Sequence, residues 1–334
     1  MKKIQGNISI PLAIRIAGRS LKSLMAHKPL CIALEVTHSC VANCRHCDKG
    51  GHVDEVMVGA EEYKRMCDEL NPTLVQIAGG EPLLRKDLPD IVRALHTPNK
   101  PPALILVTNA ALLNMEKYRE LKDAGMYQFS ISLDFPDERH DDFRQIPGLF
   151  ARLNKLIPEI LALGNDDVVV NCCITRANYP YIKDIIGKVS GWGAKLNFSA
   201  YTDLRTNDYQ FNLQHPEDTS KLNSIIDEIY HSGNGLRNSV MTSERVLRRF
   251  VKFFENGNRM PNCRTGDKFL IVNPDGRLTP CAMFFDERYD SLKELKEKFA
   301  NKSDCDGCYI SIRANTEKSM WELLTDNLRF LNSR

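Results

Sequence analysis

The chain has 334 residues, 43% of them hydrophobic and 26% charged, with a formal charge of +2. That length supports a substantial buried core, in one large unit or one plus a smaller one, and so small a charge gives no electrostatic ground for a nucleic-acid partner. No apolar run reaches the roughly 18 residues that span a bilayer, and the N-terminus lacks the apolar core and cleavage pattern of a secretory signal, so a cytoplasmic protein is expected. In a reducing compartment the eleven cysteines read as metal ligands or reactive groups where they cluster. The isolated Cys31, Cys67, Cys172 and Cys173 read as small buried apolar side chains.

Residues 10–28, IPLAIRIAGRSLKSLMAHK, set Leu12, Ile16, Leu21, Leu24 and Met25 near helical spacing with Arg15, Arg19, Lys22 and Lys28 between them. This is a basic amphipathic helix filling a segment 1–29, and it either packs on the protein body or lies on a membrane surface. From residue 30 short β-rich runs alternate with helical stretches: IALEV (32–36), TLVQIAG (73–79), ALILVTN (103–109), YQFSISLD (127–134), DVVVNCCIT (167–175) and AKLNFSAY (194–201). Between them lie AEEYKRMCDEL (60–70), KDLPDIVRAL (86–95) and NMEKYRELKDAG (114–125), the last ending on a glycine cap. Six strand–helix units with crossover connections curl into an open α/β barrel, a partial (β/α)6 TIM-like barrel over 30–205, with its chemistry at the C-terminal ends of the strands. Polar helical segments at 216–232 and 242–256 form a connection over 206–256. A smaller C-terminal domain is expected over 257–334, where two apolar runs flank the hairpin signal Pro274-Asp275-Gly276.

The stretch SCVANCRHCD (39–48) places Cys40, Cys44 and Cys47 in one loop after the first strand. Zinc with His46 as fourth ligand fits poorly, because an imidazole adjacent to Cys47 has difficulty pointing at the same ion and structural zinc sites usually pair two knuckles. Three thiolates in a wrapping loop suit a four-iron, four-sulfide cube with one iron left open. AGGEPLLR (78–85) follows the second strand.

On these two motifs the chain resembles the radical S-adenosylmethionine superfamily, whose signature is CxxxCxxC after the first barrel strand, followed by GGEP after the second. The resemblance implies a [4Fe-4S] cluster on Cys40, Cys44 and Cys47, with S-adenosyl-L-methionine on the open iron; reductive cleavage then yields a 5′-deoxyadenosyl radical that takes hydrogen from a substrate. His46 stands where the family usually has an aromatic residue near the adenine. Gly79, Gly80 and Pro82 shape the loop at the methionyl group, and Glu81 either adds charge there or braces the loop. Asn109 ends VTN (107–109), with Ala110 where the family often has glycine; Ser132 and Asp134 end SLD (132–134), and Asn171 lies in the fifth strand, all as further cofactor contacts.

In CRTGDKFLIVNPDGRLTPC (263–281) and CDGC (305–308), twelve residues separate Cys263 from Gly276 and four more precede Cys281. This resembles the opening of a SPASM or Twitch auxiliary-cluster domain, and with only four cysteines the shorter Twitch form. Cys263, Cys281, Cys305 and Cys308 would ligate a second [4Fe-4S] cluster, with structural zinc as the alternative. The family implies a reductant such as flavodoxin or ferredoxin. The substrate class stays open among peptide, alcohol or other small molecule, and lipid or isoprenoid, the last prompted by residues 10–28. No catalytic base or radical-quenching donor is assignable, although Glu35, Tyr201 and Asp203 lie on or after strands. The non-radical alternative is an iron–sulfur electron-transfer or zinc-binding protein.

Overall fold

A computed structural model describes residues 3–4, 8–319 and 322. After helix α1 (Ile10–Met25), six parallel strands follow in chain order: β1 (Cys31–Glu35), β2 (Leu74–Ala78), β3 (Ala103–Thr108), β4 (Gln128–Ser132), β5 (Val168–Ile174) and β6 (Lys195–Ala200). The intervening helices are α2 (Ala60–Leu70), α3 (Leu88–Leu95), α4 (Met115–Ala124), α5 (Arg139–Arg144), α6 (Leu149–Leu161) and α7 (Ile182–Trp192). Each buries one apolar stripe, as α3 does with Leu88, Ile91, Val92 and Leu95. Helix α4 starts where Lys117 N donates to the Asn114 side chain at 2.8 Å and stops at Gly125, whose φ of 114° suits only glycine well.

Alternation along the strands sorts the core into two sides. Ile32 and Leu34 of β1, with Val75 and Ile77 of β2, pack outward among the helices in the main apolar cluster. Cys31 and Ala33 face the other way, with Phe269, Ile271, Cys281 and Ile312. Helices α8 (Pro216–His231) and α9 (Glu244–Glu255) then pack on each other.

The C-terminal region departs from the expected separate unit. Strand β7 (Phe269–Val272) pairs in parallel with β1, and β8 (Leu278–Thr279) turns back antiparallel on β7, giving one eight-stranded sheet in the order β8-β7-β1-β2-β3-β4-β5-β6. The reason is burial: all four residues of β7 are buried, so the strand needs neighbours on both faces as well as at its edges. The hairpin itself forms as expected, with Gly276 at φ 84°. Past α10 (Leu292–Leu295), the short helix α11 (Ser311–Thr316) packs against both β6 and β7, which do not pair with each other, and closes the interval that the sheet leaves open.

Helix α1 lies with its arginines toward the protein. Arg15 Nη1 donates to Asn99 O at 2.9 Å and Arg19 Nη1 to Pro72 O at 3.2 Å. The outward stripe is apolar: Ile14 is 67% exposed, Leu21 53% and Met25 76%, and at 100° per residue these three share one face. Cys31, Cys67 and Cys172 are buried as read from sequence, while Cys173 is half-buried beside Asp134.

Candidate functional site

The loop after β1 is closed at its base, where Cys40 N donates to Gly51 O at 2.9 Å. Glu55 anchors its approach, accepting from Thr37 Oγ1 and from His38 N, both at 2.7 Å. Each of the three thiols meets a nitrogen donor. Ala42 N at 3.4 Å and Asn109 Nδ2 at 3.8 Å point at Cys40 Sγ, Arg144 Nη1 at 3.7 Å at Cys44 Sγ, and Lys49 N at 3.5 Å at Cys47 Sγ. Donors aimed at sulfur suit thiolates that carry negative charge, as cluster ligands do. Burial meanwhile pushes the free Cys40 thiol up to about 11, so metal loading has to release protons.

Spacing separates a cluster from a single ion. Thiolates around one zinc stand about 3.8 Å apart, given a Zn–S bond of about 2.3 Å. Among the described residues, the group of three histidine, cysteine or carboxylate donors lying within 4.8 Å of one another is Asp227, His231 and Glu244, so neither cysteine set is drawn in to single-ion spacing. That acidic group is already compensated, since Arg248 pairs with Asp227 at 2.5 Å and Glu244 at 3.1 Å.

The glycines of GGEP allow a close approach between two loops. A Cβ on Gly79 would stand 2.1 Å from Thr37 O, and one on Gly80 would stand 2.1 Å from Ser39 O. Their absence lets Gly80 N reach Thr37 O at 2.7 Å and Glu81 N reach Ser39 O at 2.9 Å, locking this loop to the start of the cysteine loop. Of the two roles open to Glu81, the geometry shows the brace. Its fully buried carboxylate accepts from Thr108 Oγ1 at 2.7 Å, Asn109 N at 2.9 Å and Leu83 N at 3.1 Å. Pro82 is buried at the first position of the turn that follows. Asn109 is thereby fixed at the end of β3, its Oδ1 taking Ala111 N and its Nδ2 facing Cys40.

Ser132 and Asn171 are register partners on β4 and β5. The Asn171 amide is engaged between strands, bonded to Ser130 Oγ and accepting from Asn197 Nδ2 at 3.0 Å, so it belongs to a polar ladder inside the barrel. Asp134 is fully buried and engaged: Oδ2 accepts Arg144 Nε at 2.7 Å and Oδ1 accepts Cys173 N at 3.3 Å. Burial alone would raise its carboxyl, but Arg144, His46 and His140 hold it below the ordinary range. His46 lies flat on Phe143 of α5, ring centroids 4.6 Å apart and planes 9° apart, and burial pushes it down to about 4. Its Nδ1 is buried with no hydrogen-bond partner.

Two residues near the loop, Arg144 and Arg205, were not singled out from sequence, and neither were the charged partners of Glu35. Arg144 bridges Asp134 to Cys44, ten residues beyond the carboxylate it pairs with. Glu35 at the end of β1 is buried; Lys49 at 2.5 Å and His38 at 3.0 Å overcome the opposing effect of burial and hold it at about 2. Arg205 pairs with Asp48 through Nη2 at 2.8 Å and Nε at 2.9 Å and lies over Phe285, tying the cysteine loop to the C-terminal region. Long side chains that reach across elements leave no local pattern.

The second cysteine set converges as the hairpin implied. Cys281 and Cys308 are buried, Cys263 and Cys305 half-buried, and Cys263 and Cys305 share a hydrogen bond. Met260 N donates to Asp306 O, and Thr202 Oγ1 donates to Gly307 O at 2.8 Å, so the CDGC knuckle is stitched to the end of β6. The four thiols therefore form a sulfur-only donor set of the kind that an iron–sulfur cluster or a structural zinc takes.

The family model described as the radical SAM superfamily matches residues 34–186, from β1 into α7. An AdoMet-dependent heme synthase of Oleidesulfovibrio alaskensis is 32% identical over 181 residues, 52% of this chain and 46% of that protein. The chain thus spans about half the length of the heme synthase relatives it matches. A probable GTP 3',8-cyclase of Methanococcus aeolicus is 26% identical over 87% of this chain and 96% of its own. Among solved structures, Streptococcus suis SuiB bound to S-adenosylmethionine superposes with a TM-score of 0.62 at 17% identity, covering 86% of this chain and 70% of that one.

Proposed function

We propose, on the premise that this chain belongs to the radical SAM superfamily through its residues 34–186, that it is an enzyme taking hydrogen from a substrate still to be identified. The observation that carries the reading is the loop of Cys40, Cys44 and Cys47, each thiol faced by a nitrogen donor and the trio spread beyond single-ion spacing. When bound, a reduced [4Fe-4S] cluster with S-adenosyl-L-methionine on its open iron supplies one electron to the carbon–sulfur bond and so a 5′-deoxyadenosyl radical. The chain's own part is positioning. Gly79, Gly80 and Glu81 clamp the cofactor-side loops together, Asn109 and Arg144 orient ligand sulfurs, and His46 offers the face not covered by Phe143 to a planar base. Cys263, Cys281, Cys305 and Cys308 hold a second cluster, Twitch-like in its ligand pattern.

The test is anaerobic reconstitution followed by dithionite and S-adenosylmethionine. We expect methionine and 5′-deoxyadenosine in equal amounts, with deuterium from the true substrate appearing in the nucleoside. Iron-loaded protein that leaves the sulfonium intact would favour electron transfer without radical chemistry.

A lipid or isoprenoid substrate has one specific observation behind it, the outward stripe of Ile14, Leu21 and Met25 on α1. Since Arg15 and Arg19 are engaged with backbone carbonyls, membrane contact through this helix rests on apolar insertion more than on charge. The full chain is expected to float with liposomes, and an Ile14→Ser/Leu21→Ser/Met25→Ser protein to stay behind. Equal flotation, or none for either, removes the lipid reading.

A further inference from the structure

Arg313 is the largest of the fully buried side chains, and it lies in α11 just beyond the second cysteine set. Its Nη1 donates to Cys308 O at 2.5 Å and its Nη2 to Pro261 O at 2.8 Å, so it grips the chain beside two of the four cysteines. Its Nε lies 3.0 Å from both carboxylate oxygens of Glu317, which also accepts Arg264 N at 2.9 Å. A guanidinium keeps its charge at every working pH, and burying it is costly unless it is paired. Glu317 supplies the pairing that the fold requires, yet the guanidinium is also close enough to act electrostatically on Cys263 and Cys308.

We propose that Arg313, balanced by Glu317, is the positioning residue that sets the charge around the four-cysteine group and thereby the potential at which that group takes up an electron. The inference rests on reading the site as an iron–sulfur cluster. Adding an electron makes a four-thiolate cluster more negative, so a fixed positive charge nearby stabilises the reduced form and raises the potential. The two residues of the pair must then act with opposite sign. Removing the guanidinium lowers the potential; removing the carboxylate leaves the guanidinium unopposed and raises it. A role confined to packing would not produce opposite shifts, because loosening the site lets in water in either case.

The experiment uses the full chain carrying Cys40→Ala, Cys44→Ala and Cys47→Ala, purified anaerobically, so that iron resides in the C-terminal set alone. Redox titration against dithionite is followed by the spin signal of the reduced cluster. At a fixed potential, Arg313→Gln is expected to cut the ratio of reduced to oxidised cluster at least tenfold, a downward shift of about 59 mV for one electron. Arg313→Lys, which keeps the charge but cannot span both carbonyls, is expected to fall less. Glu317→Gln is expected to raise the ratio severalfold. Should Arg313→Gln not retain iron, Glu317→Gln decides alone, and an unmoved or lowered potential overturns the inference. Zinc without iron in the starting protein overturns the cluster reading and this inference with it. A loaded cluster whose potential none of the three changes shifts overturns the inference and leaves the cluster reading standing.

Discussion

Replacing Cys40, Cys44 and Cys47 together with alanine is expected to reduce 5′-deoxyadenosine formation to the level of a protein-free control, while about half of the bound iron remains. The effect is total because no other sulfur can substitute: Cys173 is half-buried behind Asp134, and Cys31, Cys67 and Cys172 are buried in the core. The residual iron follows from geometry. The second set is held by its own contacts, the Thr202–Gly307 bond and the Met260–Asp306 bond, and none of these passes through the first cysteine loop. The cysteine loop itself meets the C-terminal region through the Arg205–Asp48 pair with Phe285, a contact at its margin, while the pairing of β7 with β1 lies beneath the loop and involves none of its cysteines. Replacing Cys263, Cys281, Cys305 and Cys308 should leave the other half of the iron. Iron content by mass spectrometry, with nucleoside release measured on the same samples, checks both arms. Loss of all iron in the first variant would mean that the two sets assemble as one unit.

What the sequence revealed, and what it did not, divides along the range of the interaction. The six parallel strands, the cap at Gly125 and the hairpin at Gly276 were legible because periodicity and turn chemistry act over a few residues. The pairing of β7 with β1 was not, since Cys31 and Phe269 meet across most of the chain and a hairpin signal shows only its own two strands. The same divide runs through the site. GGEP was legible as a loop, but the reason for its glycines is the carbonyl oxygens of Thr37 and Ser39, set by a different strand. Asp134 and Asn171 were legible as polar residues at or near strand ends; the partners that engage them, Arg144 and Asn197, come from elements that sequence alone does not bring near. For α1, spacing announced two faces without saying which one the body takes.

Arg144→Ala is expected to destabilise the folded protein by about 3–5 kcal/mol, the usual consequence of leaving one member of a buried ion pair without its partner. Asp134 is fully buried and would keep the Cys173 N–H at 3.3 Å as a hydrogen bond, with His140 Nδ1 at 3.9 Å beyond hydrogen-bond reach, too little for an ionised carboxylate. The sign with pH follows from the pairing. In the native protein the Asp134 carboxyl is held below its ordinary value, so its contribution is present at neutral pH and is lost as pH falls through the folded value. Without Arg144, burial acts on it with less opposition and raises it, so the deficit of the variant should shrink as pH is lowered from neutrality and the carboxyl takes up a proton. Asp134→Asn in the Arg144→Ala background should recover much of the loss, because an amide in that position carries no charge to bury. Urea unfolding of the reconstituted proteins at two pH values, run as a double-mutant cycle, measures the coupling. A deficit unchanged with pH, or two single losses that simply add, would place the stabilisation in packing around Phe143 and His46 rather than in the ion pair. The same guanidinium points at Cys44 Sγ, so the carboxylate that stabilises the fold also fixes the aim of that donor at the sulfur.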